Sequence, residues 1–114
     1  MTNNRDMKTT ELRIGNILEL PNKHPVQISI DSLKEIESGI HPYQKIPLTE
    51  EWLLKFEFEK INHRIEGVIY RREWLNFSET FLVDWRGGYI GRIQYVHQLQ
   101  NLYFALCNEE LVIK

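Results

Sequence analysis

The histidines and the single cysteine are the first residues to consider for metal binding or acid–base chemistry. The histidines are His24, His41, His63 and His97, and no two of them have the short spacing that zinc ligands show. A lone cysteine, Cys107, cannot supply a thiolate cluster. On a helix, ten positions place His97 and Cys107 about 80° apart around the axis and about 15 Å apart along it, which is beyond hydrogen-bond reach. The sequence therefore predicts no metal site, no cofactor and a buried, inert cysteine.

The acidic pairs and the glycine-rich stretch also have structural interpretations. Glu50-Glu51 suit a helix start, where carboxylates complement the helix dipole, and Glu109-Glu110 suit a solvated turn. Catalytic carboxylates face each other across a cleft, which adjacent positions do not. Residues 87–91 are glycine-rich but lack the Lys-Ser/Thr of a phosphate-binding loop. Because no nucleophile and base stand at a workable spacing, the sequence favours a protein that is not an enzyme.

The polar side of the last predicted helix is the leading candidate for a binding surface. His97, Gln100, Asn101 and Phe104 fall within about 100° of each other, opposite the apolar stripe of that helix. An imidazole, two amides and a phenyl ring can donate, accept and stack, which suits recognition of a protein partner. The alternative is that the rest of the domain covers Phe104 and that the amides bind neighbouring backbone groups.

Arginines and aromatic residues alternate through the middle of the chain and form a second candidate surface. Residues 60–97 hold six basic and four acidic side chains, a local charge of +2 in a chain of net charge −2. Stacking rings and guanidinium groups are the components of single-stranded nucleic-acid sites. The residues that would form such a surface are Tyr70, Arg72, Trp74, Arg86 and Tyr89. Nucleic acid is not the favoured partner, because the sequence pI is near 6.1 and nucleic-acid-binding domains are usually basic.

Length and composition bound the elements that must position these residues. The chain has 114 residues, 42% of them hydrophobic and 11% aromatic, which favours one domain over residues 11–114. Residues 1–10 are predicted to be a flexible N-terminal extension. The longest apolar run, Leu102–Cys107, is far shorter than the roughly 20 residues of a membrane span, so we expect a cytoplasmic protein with no membrane contact. Thirteen aromatic residues are many for one small core to bury, which leaves a homodimer through an exposed aromatic patch open.

The N-terminal half is predicted to begin with a β segment. A first strand is expected over Glu11–Leu20, bent at Gly15-Asn16, with Val26–Ile30 pairing back on it. Asp31–Gly39 favours a short helix capped by Asp31 and ended by Gly39, with a third strand as the alternative.

Two further helices have clearer signals. Thr49 is the expected N-cap of a helix over Glu50–Glu57, which would bury Leu53 and Phe56. Tyr95–Cys107 has the apolar period of an amphipathic helix that docks on a sheet, and Asn108 can end it in left-handed geometry.

An antiparallel meander is expected between these helices, over residues 65–95. Its clearest strands are Ile65–Trp74 and Ser78–Trp85. A three-residue loop over Arg86-Gly87-Gly88 would place Trp85 opposite Tyr89, Val83 opposite Gly91 and Phe81 opposite Ile93. That register puts Phe81, Val83, Trp85, Tyr89 and Ile93 on one face. A short closing strand is expected over Leu111–Lys114. The fold class is therefore α+β: an antiparallel meander packed against a C-terminal amphipathic helix, with an N-terminal β segment and one short middle helix.

Three stretches resemble a recurring group of uncharacterised small proteins from Bacteroidetes genomes and their prophages or mobile elements. The stretches are residues 11–16 (ELRIGN), 46–56 (IPLTEEWLLKF) and 95–106 (YVHQLQNLYFAL). Members of that group have Gly at the position of Glu57 and Thr-Gly at the positions of Cys107 and Asn108, so this chain departs from the pattern at two helix ends. The resemblance implies a phage-type accessory protein and brings no activity, cofactor or catalytic residue. The leading hypothesis is a non-enzymatic accessory or protein-interaction module, and single-stranded nucleic-acid binding is the alternative.

Overall fold

A computed structural model describes residues 7–113 of the chain. Within this range, two antiparallel sheets and three α-helices give 28% helix and 31% strand, which confirms the α+β class. The chain divides into two compact units. Unit 1 holds residues 7–47 and 95–110, and unit 2 holds residues 48–94 and 111–113. One domain over residues 11–114 stays a prediction.

A two-stranded sheet opens unit 1. Strand β1 (Ile17–Glu19) pairs antiparallel with β2 (Pro25–Gln27), and Leu18 lies opposite Val26. The pairing agrees with prediction, but both strands are shorter than expected. The first strand does not begin at Glu11, because Thr9–Glu11 forms a 3-10 turn and Gly15, at φ +95°, bends the chain before β1. A bend of this kind requires the left-handed geometry that glycine adopts readily.

Helix α1 (Ile30–Ser38) follows β2, so the alternative of a third strand is wrong. Its N-cap is Ser29, not Asp31. The Ser29 hydroxyl accepts a hydrogen bond from the Ser32 amide, and the Ser32 hydroxyl accepts one from the Ser29 amide. This reciprocal pair satisfies two of the amide groups that a helix start leaves open. Gly39, at φ +83°, ends the helix as predicted.

Apolar side chains from the turn, the sheet and α1 form one buried cluster in unit 1. Its members are Leu12, Leu18, Ile28 and Ile36. Met7 packs against this cluster from the N-terminal side and is half-buried. Of the predicted extension, residues 1–6 lie outside the described residues.

Helix α3 (Val96–Cys107) completes unit 1, and the prediction for its position is confirmed. Tyr95 is its N-cap residue, and Asn108 ends it at φ +56°. Val96, Leu99 and Tyr103 are buried, as the apolar stripe predicts. Asparagine tolerates the left-handed region better than most residues, which explains why the helix ends at Asn108.

Unit 2 contains a short helix and a five-stranded meander. Helix α2 (Glu50–Lys55) begins after Thr49, whose hydroxyl accepts a hydrogen bond from the Trp52 amide at 3.4 Å, as predicted. The strands are β3 (Glu59–His63), β4 (Gly67–Arg72), β5 (Leu75–Ser78), β6 (Leu82–Trp85) and β7 (Gly88–Arg92), paired in chain order. The sequence prediction included neither β3 nor β5 as a strand, because residues 75–77 fell between the two predicted strands, Ile65–Trp74 and Ser78–Trp85.

The core of unit 2 lies on one face of this sheet. Leu75, Phe77 and Val83 are buried there, and the rings of Phe58 and Phe77 meet edge to face with centroids 5.5 Å apart. Such an arrangement aligns the positive edge of one ring with the negative face of the other.

The turn between β6 and β7 differs from prediction. Its loop has two residues, Arg86 at φ +54° and Gly87 at φ +87°, and Trp85 pairs with Gly88 instead of Tyr89. A bulge restores the predicted pairing of Val83 with Gly91. Tyr89 consequently lies opposite Asp84 and belongs to the exposed face of the sheet, not to the face of Val83 and Trp85. The predicted closing strand is also wrong, because residues 111–113 form no strand.

Candidate functional site

The predicted recognition residues of α3 do not form a continuous free surface. His97 and Gln100 are buried, with 0% and 1% of their surface exposed, and Asn101 is half-buried. Phe104 keeps 37% of its surface exposed. In unit 1, the segment before β1 covers the side of α3 that helical periodicity alone assigns to solvent.

Gln100 binds the backbone of that segment. Its side-chain oxygen accepts a hydrogen bond from the Ile17 amide at 2.7 Å, and its side-chain nitrogen donates one to the Gly15 carbonyl at 3.3 Å. These two bonds satisfy backbone groups at the irregular start of β1. Gln100 is therefore a structural residue.

Asn101 has the same role one position further along α3. Its nitrogen donates to the Glu11 carbonyl at 2.9 Å, and its oxygen accepts from Asn16 Nδ2 and Arg13 Nε, both at 2.8 Å. The amide side chains of Gln100 and Asn101 thus form hydrogen bonds to neighbouring groups of the same chain, which was the alternative to a recognition surface.

Phe104 is covered in part by a cation. The Arg13 guanidinium lies 4.3 Å from the centre of the Phe104 ring, and the same guanidinium forms an ion pair with Glu110. Cation–π contacts of this geometry hold both side chains in place. The exposed part of Phe104 is too isolated to form a recognition surface by itself.

His97 is the least satisfied polar group among the described residues. Neither ring nitrogen makes a hydrogen bond, and the nearest acid is Glu11, whose Oε1 lies 3.4 Å from Nε2. The ring stacks on Tyr95 with centroids 6.0 Å apart, and Lys45 Nζ lies 4.5 Å from the centre of the Tyr95 ring. Burial lowers the pKa of His97 below its usual value, and Glu11 opposes that shift only in part. Burial therefore favours the neutral form of the His97 imidazole.

Two of the five predicted nucleic-acid contacts lie on the core face of the five-stranded sheet. Tyr70 is buried, and its hydroxyl donates to Glu50 Oε1 at 2.9 Å. Arg72 donates to the Phe56 carbonyl and pairs with Glu57 at 3.6 Å. Both side chains therefore hold α2 against the sheet and are not available to a ligand.

The contact between Glu50 and Tyr70 also shifts two pKa values. Burial, followed by the adjacent carboxylate, raises the pKa of Tyr70 to about 12. Hydrogen bonds from Lys60 and Tyr70 lower the pKa of Glu50, whose Oε1 lies 2.6 Å from Lys60 Nζ. Charge and hydrogen bonding thus stabilise the ionised carboxylate and the neutral phenol.

The other three residues of the predicted surface line hollows on the exposed side of the sheet. The first hollow lies at the β4–β5 and β6–β7 turns and has a volume of about 520 Å³. It is lined by Arg71, Glu73, Trp74, Asn76, Arg86 and Gly87. The two turns are joined by a hydrogen bond from the Arg86 amide to the Trp74 carbonyl at 3.1 Å. This bond fixes the backbone of Trp74 relative to the second turn.

A second hollow of about 470 Å³ extends from the first across the exposed face and includes Tyr89. The two share Arg71, Asn76 and Gly87, and we call them together the turn groove. Its floor is a row of directly paired residues: Arg71 with Asn76, Asn76 with Asp84, and Asp84 with Tyr89. Arg71 Nε donates to Asn76 Oδ1 at 2.6 Å, and Asn76 Nδ2 donates to Asp84 Oδ1 at 3.1 Å. These bonds orient the polar floor.

The turn groove carries mixed charge. Arg71 and Arg86 are its cations, and Glu66, Glu73 and Asp84 are its acids. Arg71, Arg86 and Glu73 line the turn end, where two cations meet one acid, whereas Glu66 and Asp84 line only the second hollow. The surface thus presents a local positive end without being positive overall.

Of the predicted nucleic-acid surface, Trp74 and Arg86 line the first hollow and Tyr89 lines the second, whereas the prediction chose Arg72 over Arg71 and did not include Asn76. The signal was present in the alternation of β4, because Ile69 and Arg71 must share one face while Tyr70 and Arg72 share the other. Choosing between these faces required knowing that α2 packs on Tyr70.

Residues 7–113 contain neither a candidate metal site nor a candidate membrane-spanning helix. No group of three or more His, Cys, Asp or Glu side chains is arranged to hold a metal ion. None of the helices in this range is both long and apolar enough to cross a membrane. Comparison with known proteins adds no family: no family model, no curated protein and no solved structure matches the chain.

Proposed function

We propose that the protein is a non-enzymatic protein-interaction module that binds its partner through the turn groove. The observation that carries this proposal is the exposure of Trp74 and Tyr89, at 62% and 69%, beside Arg71 and Arg86. Trp, Tyr and Arg are the residues that dominate binding energy at protein interfaces. Large rings that the core does not use are costly to leave in water and suit a surface that a partner covers.

The titratable groups support a binding module rather than an enzyme. Within residues 7–113, the groups with clearly shifted pKa values are Glu50, Tyr70 and His97, and none of them lines the turn groove. Each shift arises from burial or a contact that stabilises the fold. Perturbed groups at a catalytic site normally converge on a cavity instead.

Membership of a prophage or mobile-element accessory group is part of the same proposal. It rests on the three stretches described above, which include α2 and most of α3. A cytoplasmic location would accord with that role. Neighbouring genes that encode replication, packaging or defence proteins would support this assignment, and placement among housekeeping genes in every genome examined would contradict it.

Single-stranded nucleic acid is the second candidate ligand. Trp74, Arg86 and Tyr89 are exposed in the turn groove, where bases could stack. The three acids of the groove weigh against it, because binding to a phosphate backbone depends on a surplus of positive contacts. Protein therefore remains the favoured partner.

Affinity capture with matched variants tests the proposed function. The tagged protein is incubated with extract from the native host, and captured proteins are compared between the wild type, Trp74→Ala and Ile65→Ala. Ile65 is 89% exposed on the β3–β4 turn, at the other end of the strands, and serves as the control. A central interface residue contributes about 2 kcal/mol or more, so Trp74→Ala should weaken capture roughly 30-fold while Ile65→Ala leaves it unchanged. Equal capture by all three proteins would refute the assignment of the groove.

A further inference from the structure

The distribution of charge and rings in the turn groove restricts the chemistry of the partner. We propose that the groove takes a linear peptide segment in which a carboxylate stands next to an aromatic or long aliphatic side chain. This inference rests on the proposed function and names the class of partner. The carboxylate would bind at the turn end, between Arg71 and Arg86, and the apolar side chain would lie on Trp74.

The two arginines are suited to a carboxylate because their charges are not neutralised within the chain. Among residues 7–113, the ion pairs involve neither Arg71 nor Arg86. The hydrogen bond from Arg71 Nε to Asn76 fixes the guanidinium through its inner nitrogen, and the terminal nitrogens remain for a ligand. Arg86 is oriented by the ring of Trp85, with its guanidinium carbon 5.5 Å from the ring centre. Oriented guanidinium groups bind carboxylates through paired, charge-assisted hydrogen bonds.

Trp74 provides the apolar part of the site. It directly follows Glu73, which lies in left-handed geometry at φ +54°, and its carbonyl accepts from the Arg86 amide. The backbone of Trp74 is therefore held in place, while 62% of the residue remains exposed. An exposed indole has only two side-chain torsions to order, so it can bind an apolar side chain at low entropic cost. The volume of about 520 Å³ lies within the range of small-ligand sites and can admit a few side chains of a peptide.

The acids of the groove favour a single carboxylate over a polyanion. A nucleic-acid strand carries one charge per nucleotide, so a strand that follows the groove would place phosphates near Glu66 or Asp84 as well as near the arginines. A peptide with one carboxylate needs only the turn end. The backbone N–H groups of the peptide next to that carboxylate can donate hydrogen bonds to the side-chain oxygens of Glu66, Asp84 and Ser78.

Selection from a peptide library tests this inference on the full chain. Random heptapeptides displayed on phage are selected on the wild-type protein, and the enriched sequences are synthesised with amidated C-termini and titrated by fluorescence anisotropy. We expect enriched peptides to carry Asp or Glu within two positions of an aromatic or long aliphatic residue. Replacing that acid by its amide should raise Kd about tenfold or more, as loss of a charge-assisted hydrogen bond implies.

Charge-matched variants identify the site. Arg71→Gln and Arg86→Gln should each raise Kd for the acidic peptide, and replacing the peptide acid by its amide should raise Kd by a smaller factor in each variant than in the wild type. Arg64→Gln removes an exposed arginine that lies on the β3–β4 turn but is not itself among the residues that line the groove, and it should leave Kd unchanged. Circular dichroism and urea unfolding confirm that the variants fold.

Four results would overturn the inference: enrichment of basic or neutral peptides, no enrichment, acidic peptides that bind the arginine variants as well as the wild type, or tighter arginine-dependent binding of a twelve-nucleotide oligothymidine. The last result would establish the nucleic-acid alternative. If Trp74→Ala abolishes capture of a host protein while no acidic peptide binds, the proposed function stands and only the class of partner is wrong.

Discussion

Replacing Gln100 by methionine tests whether this residue is structural or part of a recognition surface. Methionine keeps nearly the same length and volume, so packing in the buried site changes little. The substitution removes the acceptor of the Ile17 amide and the donor to the Gly15 carbonyl. The structural role therefore predicts a loss of stability, whereas a surface role predicts almost none.

The expected magnitude follows from the burial of the two backbone groups. Ile17 is 3% exposed, so its amide finds no water and costs about 1–3 kcal/mol when it is left unpaired. The Gly15 residue is half-exposed, and water can replace part of its lost hydrogen bond. We expect a total loss of about 2–3 kcal/mol, a large fraction of the roughly 5–15 kcal/mol that stabilises a domain.

Urea unfolding followed by circular dichroism measures this loss, and Gln27→Met provides the control. Gln27 is an exposed glutamine in β2 of the same unit, where a substitution should stay within about 0.5 kcal/mol. If Gln100→Met and Gln27→Met agree within that margin, the two hydrogen bonds of Gln100 do not stabilise the fold and the reasoning is refuted.

Three further predictions concern pH and the β6–β7 turn. Burial lowers the pKa of His97, so below about pH 6.5 this side chain binds a proton more readily in the unfolded chain than in the folded chain. The free energy of unfolding should therefore fall as the pH drops below that value. His97→Asn should reduce this slope in urea titrations at pH 7.5 and 5.5, and an unchanged slope would contradict the assignment. Because the pKa of Tyr70 is raised to about 12, its contribution is complete below pH 10 and is lost as the pH rises towards 12; Tyr70→Phe should reduce that alkaline loss in denaturation scans. Gly87→Ala forces a side chain into left-handed geometry and should lower the free energy of unfolding by about 1 kcal/mol. Gly88 lies outside that region, so Gly88→Ala should lower it clearly less in the same unfolding assay. A larger loss for Gly88→Ala than for Gly87→Ala would support the three-residue loop.

The helices were predictable because their ends are set by local chemistry. Thr49, Gly39 and Asn108 each act through hydrogen bonds or backbone angles within a few residues of their own position. Two helix ends were wrong: α2 stops at Lys55 instead of Glu57, and the N-cap of α1 is Ser29 instead of Asp31 because two adequate caps stand close together. Only the reciprocal bond between Ser29 and Ser32 distinguishes them.

The sheet was less predictable because pairing depends on distant residues. Strand β3 (Glu59–His63) has one apolar residue, Ile61, and forms because β4 supplies its partners. The β6–β7 turn shows the same limit. A two-residue and a three-residue loop fit Arg86-Gly87-Gly88 equally well in local terms, and the bulge before Val83–Gly91 lets the shorter loop end in the predicted register.

The two candidate surfaces were misjudged for one physical reason. A helix or strand pattern separates two faces but does not tell which other element covers them. On α3, the apolar stripe was recognised, yet the backbone around Gly15 and Ile17 packs on the opposite side and needs the amide of Gln100. On β4, alternation separates Arg71 from Arg72, but only the docking of α2 on Tyr70 decides which arginine reaches solvent.

That same reason explains why the turn groove is the better site. Its residues come from three turns and four strands that are adjacent only because the meander pairs them, and hydrogen bonds already hold the Arg71 guanidinium and the backbone of Trp74 before any ligand is present. The exposed rings and unpaired guanidinium groups have no comparable use within the described fold. On α3, by contrast, the side chains of Gln100 and Asn101 already form hydrogen bonds with other groups of the chain. A surface whose polar groups are oriented but not satisfied internally can gain free energy from a partner, and in this protein the turn groove meets that condition.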